Sequence, residues 1–217
     1  MSLKYYSEGN ILLEKNKAIY FFIPKVACTS LKKLCVDILK INLPKNELVR
    51  RIVHKIEFPH IRRERALKEF KDYFKFAIVR NPWDRLVSLY FDKFVSKRPR
   101  LDKNFSGYDS LFKSDMSFES FVEAVCSIPN NESNDHFKSQ TSMISKNGEF
   151  FVDFIGRFEN LSRDFEIIKA KLGTHYNLEQ LNESKSRKDY RTYYNDKTRE
   201  MVRKKYSEDI QLLGYSF

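Results

Sequence analysis

Two short stretches of this chain carry the residue types that bind and move anions. The first is Ile23-Pro24-Lys25-Val26-Ala27-Cys28-Thr29-Ser30, the second Val79-Arg80-Asn81-Pro82-Trp83-Asp84-Arg85-Leu86-Val87-Ser88. Each sets a cation and hydroxyl groups after an apolar run and before a helical pattern. The unpaired amides and dipole of a helix start favour anions at such a junction. In an open α/β sheet the carboxyl edge of the strands is also where ligands collect. Two such junctions imply a ligand with two separated anionic groups, the shape of a nucleotide phosphorylated at both ends.

A nucleoside-triphosphate loop would read G-x-x-x-x-G-K-[ST]. The first stretch has no glycine, and its lysine leads the loop instead of adjoining the hydroxyl pair. The physical ingredients remain: Lys25 as a mobile charge, Thr29 and Ser30 as donors, and amides at a helix start. A purely structural account of the same residues has Thr29 and Ser30 capping the helix and Lys25 in solvent. His54, His60, His136 and His175 are the side chains that titrate near neutrality. Neither they nor Cys28, Cys35 and Cys126 show metal-ligand spacing, so no metal is expected, and an odd cysteine count argues against a disulfide framework.

The elements that must position these groups are legible in the apolar pattern. Ala18–Ile23 reads as a buried parallel strand ended by Pro24. Leu31, Leu34, Cys35, Ile38 and Leu39 form one stripe of an amphipathic helix. Leu48–Val53 reads as a second strand, and about Ile61 to Phe70 as a charged helix. Phe76–Val79 is the next strand; Pro82 suits the first position of the helix after it. Trp83, Leu86, Val87, Tyr90, Phe91 and Phe94 make the apolar face of that helix and leave Ser88 on its polar side with Asp84 and Arg85. Residues 98–115 and 129–149 read as polar loops around a helix capped by Ser117. A strand over Phe150–Phe158 precedes a helix through Leu161, Phe165, Ile168 and Leu172 that stops at Gly173. One last helix turns Val202, Tyr206, Ile210 and Leu213 inward. Alternating strands and helices predict a three-layer α/β sandwich with a mostly parallel sheet, as a single domain over residues 1–217.

Pro24 to Lys32 resembles the 5′-phosphosulfate loop of sulfotransferases, and Phe76 to Tyr90 resembles their 3′-phosphate motif. The similarity is to the carbohydrate sulfotransferase family (sulfotransferase family 2), which includes the Golgi enzymes and bacterial relatives. It extends to Asn134-Asp135-His136-Phe137, to Ile155–Leu161 and to Asp209–Phe217. The resemblance implies a P-loop-NTPase-like sulfotransferase fold and the donor 3′-phosphoadenosine-5′-phosphosulfate, with 3′,5′-adenosine bisphosphate as product. It implies that Lys25, Thr29 and Ser30, within the loop Pro24, Val26, Ala27 and Cys28 complete, hold the 5′-phosphosulfate, with Lys25 near the bridging oxygen. Arg80 and Ser88 would hold the 3′-phosphate. Family members often carry glycine where Ala27 stands; alanine here suggests an ordinary helical entry without positive φ.

Sulfuryl transfer to an alcohol needs in-line attack, stabilisation of charge and a base with a pKa near neutrality. Related enzymes place a histidine between the two anion motifs, which makes His54 the first candidate for the base. His136, in the Asn-Asp-His-Phe stretch, is the second. His60 reads as a capping or surface residue and His175 as exposed. Glu159 and Asn160 read as the start of the helix at Leu161. Lys97-Arg98-Pro99-Arg100 and the basic stretch Lys185, Arg187, Lys188 and Arg191 would contact an acidic acceptor such as a uronate-bearing glycan, contact part of the donor, or stay solvated. Tyr190, Tyr193 and Tyr194 would stack on sugar or adenine, or pack the last helix.

A net charge of +11 over 217 residues implies an anionic partner without choosing one. No apolar run is long enough to cross a bilayer and no signal-peptide pattern is visible, so a cytoplasmic placement is expected, with peripheral membrane contact left open. Nothing resembles a nucleic-acid-binding signature. The expected activity is transfer of sulfate from the nucleotide to a hydroxyl, on an acidic or neutral glycan or another acceptor. Two other classes compete: a small-molecule kinase, against which the missing Gly-Lys-Ser/Thr pattern speaks, and a non-catalytic module for acidic polymers or nucleic acid.

Overall fold

Short apolar runs build a five-stranded sheet, seen in a computed structural model that describes residues 10–44, 48–95, 105, 107–108, 110–179, 181 and 188–217. Its strands are β1 (Asn10–Leu13), β2 (Ala18–Phe21), β3 (His60–Ile61), β4 (Phe74–Val79) and β7 (Phe154–Arg157), in the order β3-β1-β2-β4-β7. A two-stranded ribbon, β5 (Ser145–Lys146) with β6 (Glu149–Phe150), stands apart from it. β4 pairs in parallel with β2 and with β7, whereas β1 is antiparallel to both β2 and β3. β1 therefore runs against the other four, and the sheet is the mostly parallel one expected of an α/β protein. β2 is buried along its whole length, which is why it reads as an unbroken apolar run.

The helices are α1 (Cys28–Ile38), α2 (Val49–Ile52), α3 (Arg63–Glu69), α4 (Pro82–Tyr90), α5 (Phe118–Ser127), α6 (Gln140–Ile144), α7 (Leu161–Leu172), α8 (Asp196–Lys205) and α9 (Ser207–Leu213). Ser117 caps α5 by accepting from the Ser120 amide, and Gly173 ends α7 at φ 59°, as their sequence signals indicate.

Several elements correct the sequence reading. The expected strand Leu48–Val53 is the short helix α2, whose Ile52 and Val53 are buried; four apolar residues among charges suit one helical turn as well as a strand. The expected strand Phe150–Phe158 divides between β6 and β7. Residues 129–149 are not a loop: they contain a 3-10 turn (Asn130–Glu132), α6 and the ribbon. The last helix breaks at Tyr206 (φ −110°, ψ 31°) into α8 and α9. His60 lies in β3, not at a helix cap. α4 passes into a π-helical turn over Phe91–Val95. β1 precedes the first strand read from the sequence, joined to β2 by a 3-10 turn that ends on Lys17 in the left-handed region.

The chain divides into two compact units, Met1–Val79 with Ile144–Ser184, and Arg80–Met143 with Lys185–Phe217. The first holds the sheet, with Ile11, Ile19, Tyr20, Phe21, Phe76 and Ile78 in its core. The second is helical and packs Trp83, Leu86, Phe121, Phe137, Val202 and Tyr206 together.

Candidate functional site

In the sheet unit, β2 and β4 lie side by side and run in the same direction, with Phe21 opposite Ala77. Both sequence motifs therefore leave the sheet at the carboxyl edge of paired parallel strands. The first motif is a strained loop. Lys25 has φ 72° and Ala27 φ 54°, both in the left-handed region. Ala27 does not make the ordinary helical entry expected of alanine; it takes the conformation that glycine would adopt at no steric cost. A non-glycine residue held there costs about 1–2 kcal/mol.

Ala27 is also the N-cap of α1, and no side chain caps that helix. Thr29 and Ser30 do not cap it either; they sit buried in its first turn. Ser30 Oγ accepts from the Leu181 amide at 3.4 Å, and Cys28 Sγ donates to the Ile23 carbonyl at 3.2 Å. Thr29 Oγ1 lies 3.0 Å from His54 Nε2. His54 projects from the exposed turn after α2, so the histidine reaches the loop although the element before it is a helix.

Around the loop, burial lowers the pKa of Lys32, whose ammonium lies 4.7 Å from the centre of the Phe22 ring. Burial likewise pushes the Cys35 thiol up to about 12 and Tyr20 well above its ordinary value. These buried groups stay neutral thiol and phenol near pH 7, so the cationic character of this region belongs to its lysines.

The second motif, in the helical unit, is held by side chains. Asn81 Oδ1 accepts from the Trp83 and Asp84 amides and so caps α4, with Pro82 in the first turn. Arg80 is buried, and its Nε donates to Asp84 Oδ2 at 2.7 Å. The Gln140 amide clamps the Arg80 backbone from both sides: the Arg80 N–H donates to Oε1 at 2.9 Å and Nε2 donates to the Arg80 carbonyl at 2.7 Å. Ser88 is half-buried, and its hydroxyl makes no hydrogen bond to another described residue. Asp84 and Arg85 do not share a solvated face with it. Arg85 is 2% exposed, and its guanidinium donates to the carbonyls of Asp135 and Lys138, both at 2.7 Å.

Those two carbonyls bracket His136, which the structure places in this helical unit. Asn134 Oδ1 accepts from the His136 backbone N–H at 3.0 Å and lies 2.8 Å from its Nδ1. An atom that accepts from an amide is an oxygen, so Nδ1 carries the proton and Nε2 is the basic nitrogen of the neutral ring. Tyr206 donates to the Phe137 carbonyl at 2.5 Å, and the fully buried Asp209 accepts from Ser139 Oγ and from the amides of Gln140 and Thr141. The sequence pattern does not mark Arg85, Gln140 or Asp209 for these roles, because each acts on backbone far away in the chain. Asn81 does leave a signal, the Asn-Pro pair of a capped helix start.

His60 and His175 are exposed, and burial of part of the His60 ring lowers its pKa. Lys97-Arg98-Pro99-Arg100 and Lys185 and Arg187 of the second basic stretch lie outside the described residues. Tyr190, Tyr193 and Tyr194 make ring contacts with Phe217, Phe91 and Phe118, which favours packing over ligand stacking. Among the described residues no group of three His, Cys, Asp or Glu could hold a metal ion, and no helix is long and apolar enough to cross a membrane.

Together these features suit anions in two chemically different settings: a backbone-lined loop with a lysine, and a buried arginine at a capped helix. The rat carbohydrate sulfotransferase 11 is 26% identical over 188 residues, covering 74% of this chain and 51% of its own length. The zebrafish carbohydrate sulfotransferase 14 is 23% identical, covering 74% and 47%. The human carbohydrate sulfotransferase 10 is 31% identical over 105 residues, covering 46% and 29%. The chain thus spans about half the length of the curated relatives it matches most extensively. No solved structure matches at the same level of significance. The model of the sulfotransferase family matches residues 10–216, and the chain belongs to that family.

Proposed function

We propose that this protein transfers the sulfuryl group of 3′-phosphoadenosine-5′-phosphosulfate to a hydroxyl of a carbohydrate, both units serving one sulfotransferase domain. The observation that carries the reading is the Lys25–Ser30 loop, where left-handed backbone, an uncapped helix start, a lysine and a histidine converge. Family membership supplies the reaction class, and relatives that are carbohydrate sulfotransferases support a sugar acceptor. Lys25, Thr29, Ser30 and the amides around them would hold the 5′-phosphosulfate; Arg80 and Ser88 would hold the 3′-phosphate.

The bound nucleotide supplies a sulfuryl group attached to a phosphate leaving group. Lys25 stabilises the charge that develops on the leaving oxygen, and the amides at the start of α1 act in the same sense without reorganising. His54 takes the proton of the attacking hydroxyl, its ring oriented by Thr29. A second reading gives that role to His136, favoured by the Asn134 contact that makes Nε2 its basic nitrogen.

Thermal unfolding with 3′,5′-adenosine bisphosphate, against ATP with magnesium, tests the donor. At a hundred times its Kd the bisphosphate should stabilise the protein by about 2.7 kcal/mol. Absence of a shift removes the donor assignment. Transfer of labelled sulfate to uronate-bearing and neutral glycans then tests the acceptor class. His54→Ala should lower turnover about 10²–10⁴-fold, and a larger loss in His136→Ala would move the base to His136.

A further inference from the structure

Asn81 is one of the residues that tie the region around Arg80 to a distant part of the chain, and it alone among them also caps α4. Its Oδ1 caps α4, and because the atoms donating to that end are backbone N–H groups, Nδ2 must face the other way. Nδ2 donates to the Ser216 carbonyl at 2.7 Å and to the Tyr190 hydroxyl at 3.2 Å. Asn81 is 7% exposed, so the orientation of its amide is fixed by these partners and not by water.

The residue after Ser216 locks that arrangement. The Phe217 ring meets Trp83, Tyr190 and Tyr194 nearly edge-on, at centroid distances of 5.5, 5.8 and 5.6 Å. Arg199 lies over it at 5.5 Å, while Arg191 lies over Tyr190 at 4.6 Å. Trp83 is itself pinned at both ends, since its Nε1 donates to the Arg199 carbonyl and its carbonyl accepts from the Tyr194 hydroxyl. Edge-to-face rings of this kind favour one geometry over sliding alternatives. Trp83 belongs to the first turn of α4, three residues beyond Arg80.

We infer that Tyr190, Ser216 and Phe217 are positioning residues for the anion site of Arg80 and α4, acting through Asn81 and Trp83. The ligand group they serve is a phosphate monoester, the 3′-phosphate of the nucleotide; the inference rests on the donor reading above. Loss of the Phe217 ring releases Ser216 from Asn81, and the amide that caps α4 loses its anchor. Arg80 is adjacent in the chain, so a site that needs a guanidinium in one direction loses that direction. Displacements on this scale reduce binding and turnover even when the liganding residue is intact.

The test compares the affinities of 3′,5′-adenosine bisphosphate and adenosine 5′-monophosphate, which differ only in the 3′-phosphate, by calorimetry. In Phe217→Ala the bisphosphate should bind about tenfold more weakly while the monophosphate is unchanged, and Phe217→Tyr should restore the difference. Tyr190→Phe removes one hydroxyl and leaves the ring packing in place; it should cost the bisphosphate about twofold, again selectively. If both variants leave the ratio of the two affinities at its wild-type value, whether by no change or by parallel loss, the positioning role is overturned. A wild-type protein that does not prefer the bisphosphate overturns the donor reading itself, and this inference with it.

Discussion

In the Lys25–Ser30 loop the backbone does the holding: two left-handed residues precede a helix that no side chain caps. Around Arg80 side chains do it. Asn81 caps the helix, Gln140 clamps the backbone and Asp84 pairs with the guanidinium. The first arrangement stores strain and keeps its lysine half-buried; the second spends buried polar groups to fix one geometry. Substitution in the two places should therefore fail differently. Lys25, half-buried in the loop, can change with less loss of stability than the buried residues around Arg80. The residues around Arg80 carry fold and binding together.

Arg80→Ala should separate the two most sharply. It removes one partner of the buried Arg80–Asp84 ion pair, and breaking a buried pair costs about 3–5 kcal/mol. Urea denaturation should show that loss alongside loss of selectivity for the 3′-phosphate. Lys25→Ala should reduce sulfate transfer about 10²–10³-fold, the range for removing one stabilising group from a transition state, with a smaller fall in the urea midpoint than Arg80→Ala. Equal stability losses in the two variants would erase the distinction. Arg85→Lys keeps the charge but not the fork that grips two carbonyls, and should cost about 2 kcal/mol. Nitrogen NMR of labelled histidine reports the second consequence: in the wild type His136 carries its proton on Nδ1, and in the variant that preference should weaken.

The same contrast governs what the sequence reveals. A motif whose groups come from consecutive residues, such as Lys25, Thr29 and Ser30, is visible as a string. β2, β4 and α4 are visible too, because each buries a continuous stripe. Gln140 and Asp209 are not, since a glutamine that meets Arg80 60 positions away leaves no local pattern. α2 was misleading for the opposite reason: four residues with two apolar positions satisfy either periodicity, and Leu48 alone is extended. Arg85 and Asp84 sit where helical spacing puts a polar face, yet both are buried because carbonyls and a guanidinium wait for them. The left-handed conformation of Ala27 is not legible in the sequence, because residue type argues against it.

That residue offers the smallest and most discriminating change. Ala27→Gly removes the Cβ that makes φ 54° unfavourable, a gain of about 1–2 kcal/mol. It also enlarges the conformational freedom of the unfolded chain, which takes back about 0.4–1 kcal/mol. The net expectation is stabilisation by about 1 kcal/mol, read as a higher urea midpoint with unchanged slope. The left-handed geometry is retained, so affinity for 3′,5′-adenosine bisphosphate should hold. The matching change at the other motif, Asn81→Gly, removes the side chain that caps α4 and ties it to Ser216, and should weaken both stability and selectivity. If Ala27→Gly instead destabilised the protein, the left-handed entry would not be a strain the loop bears, and the backbone would lose its claim to be what holds the first site.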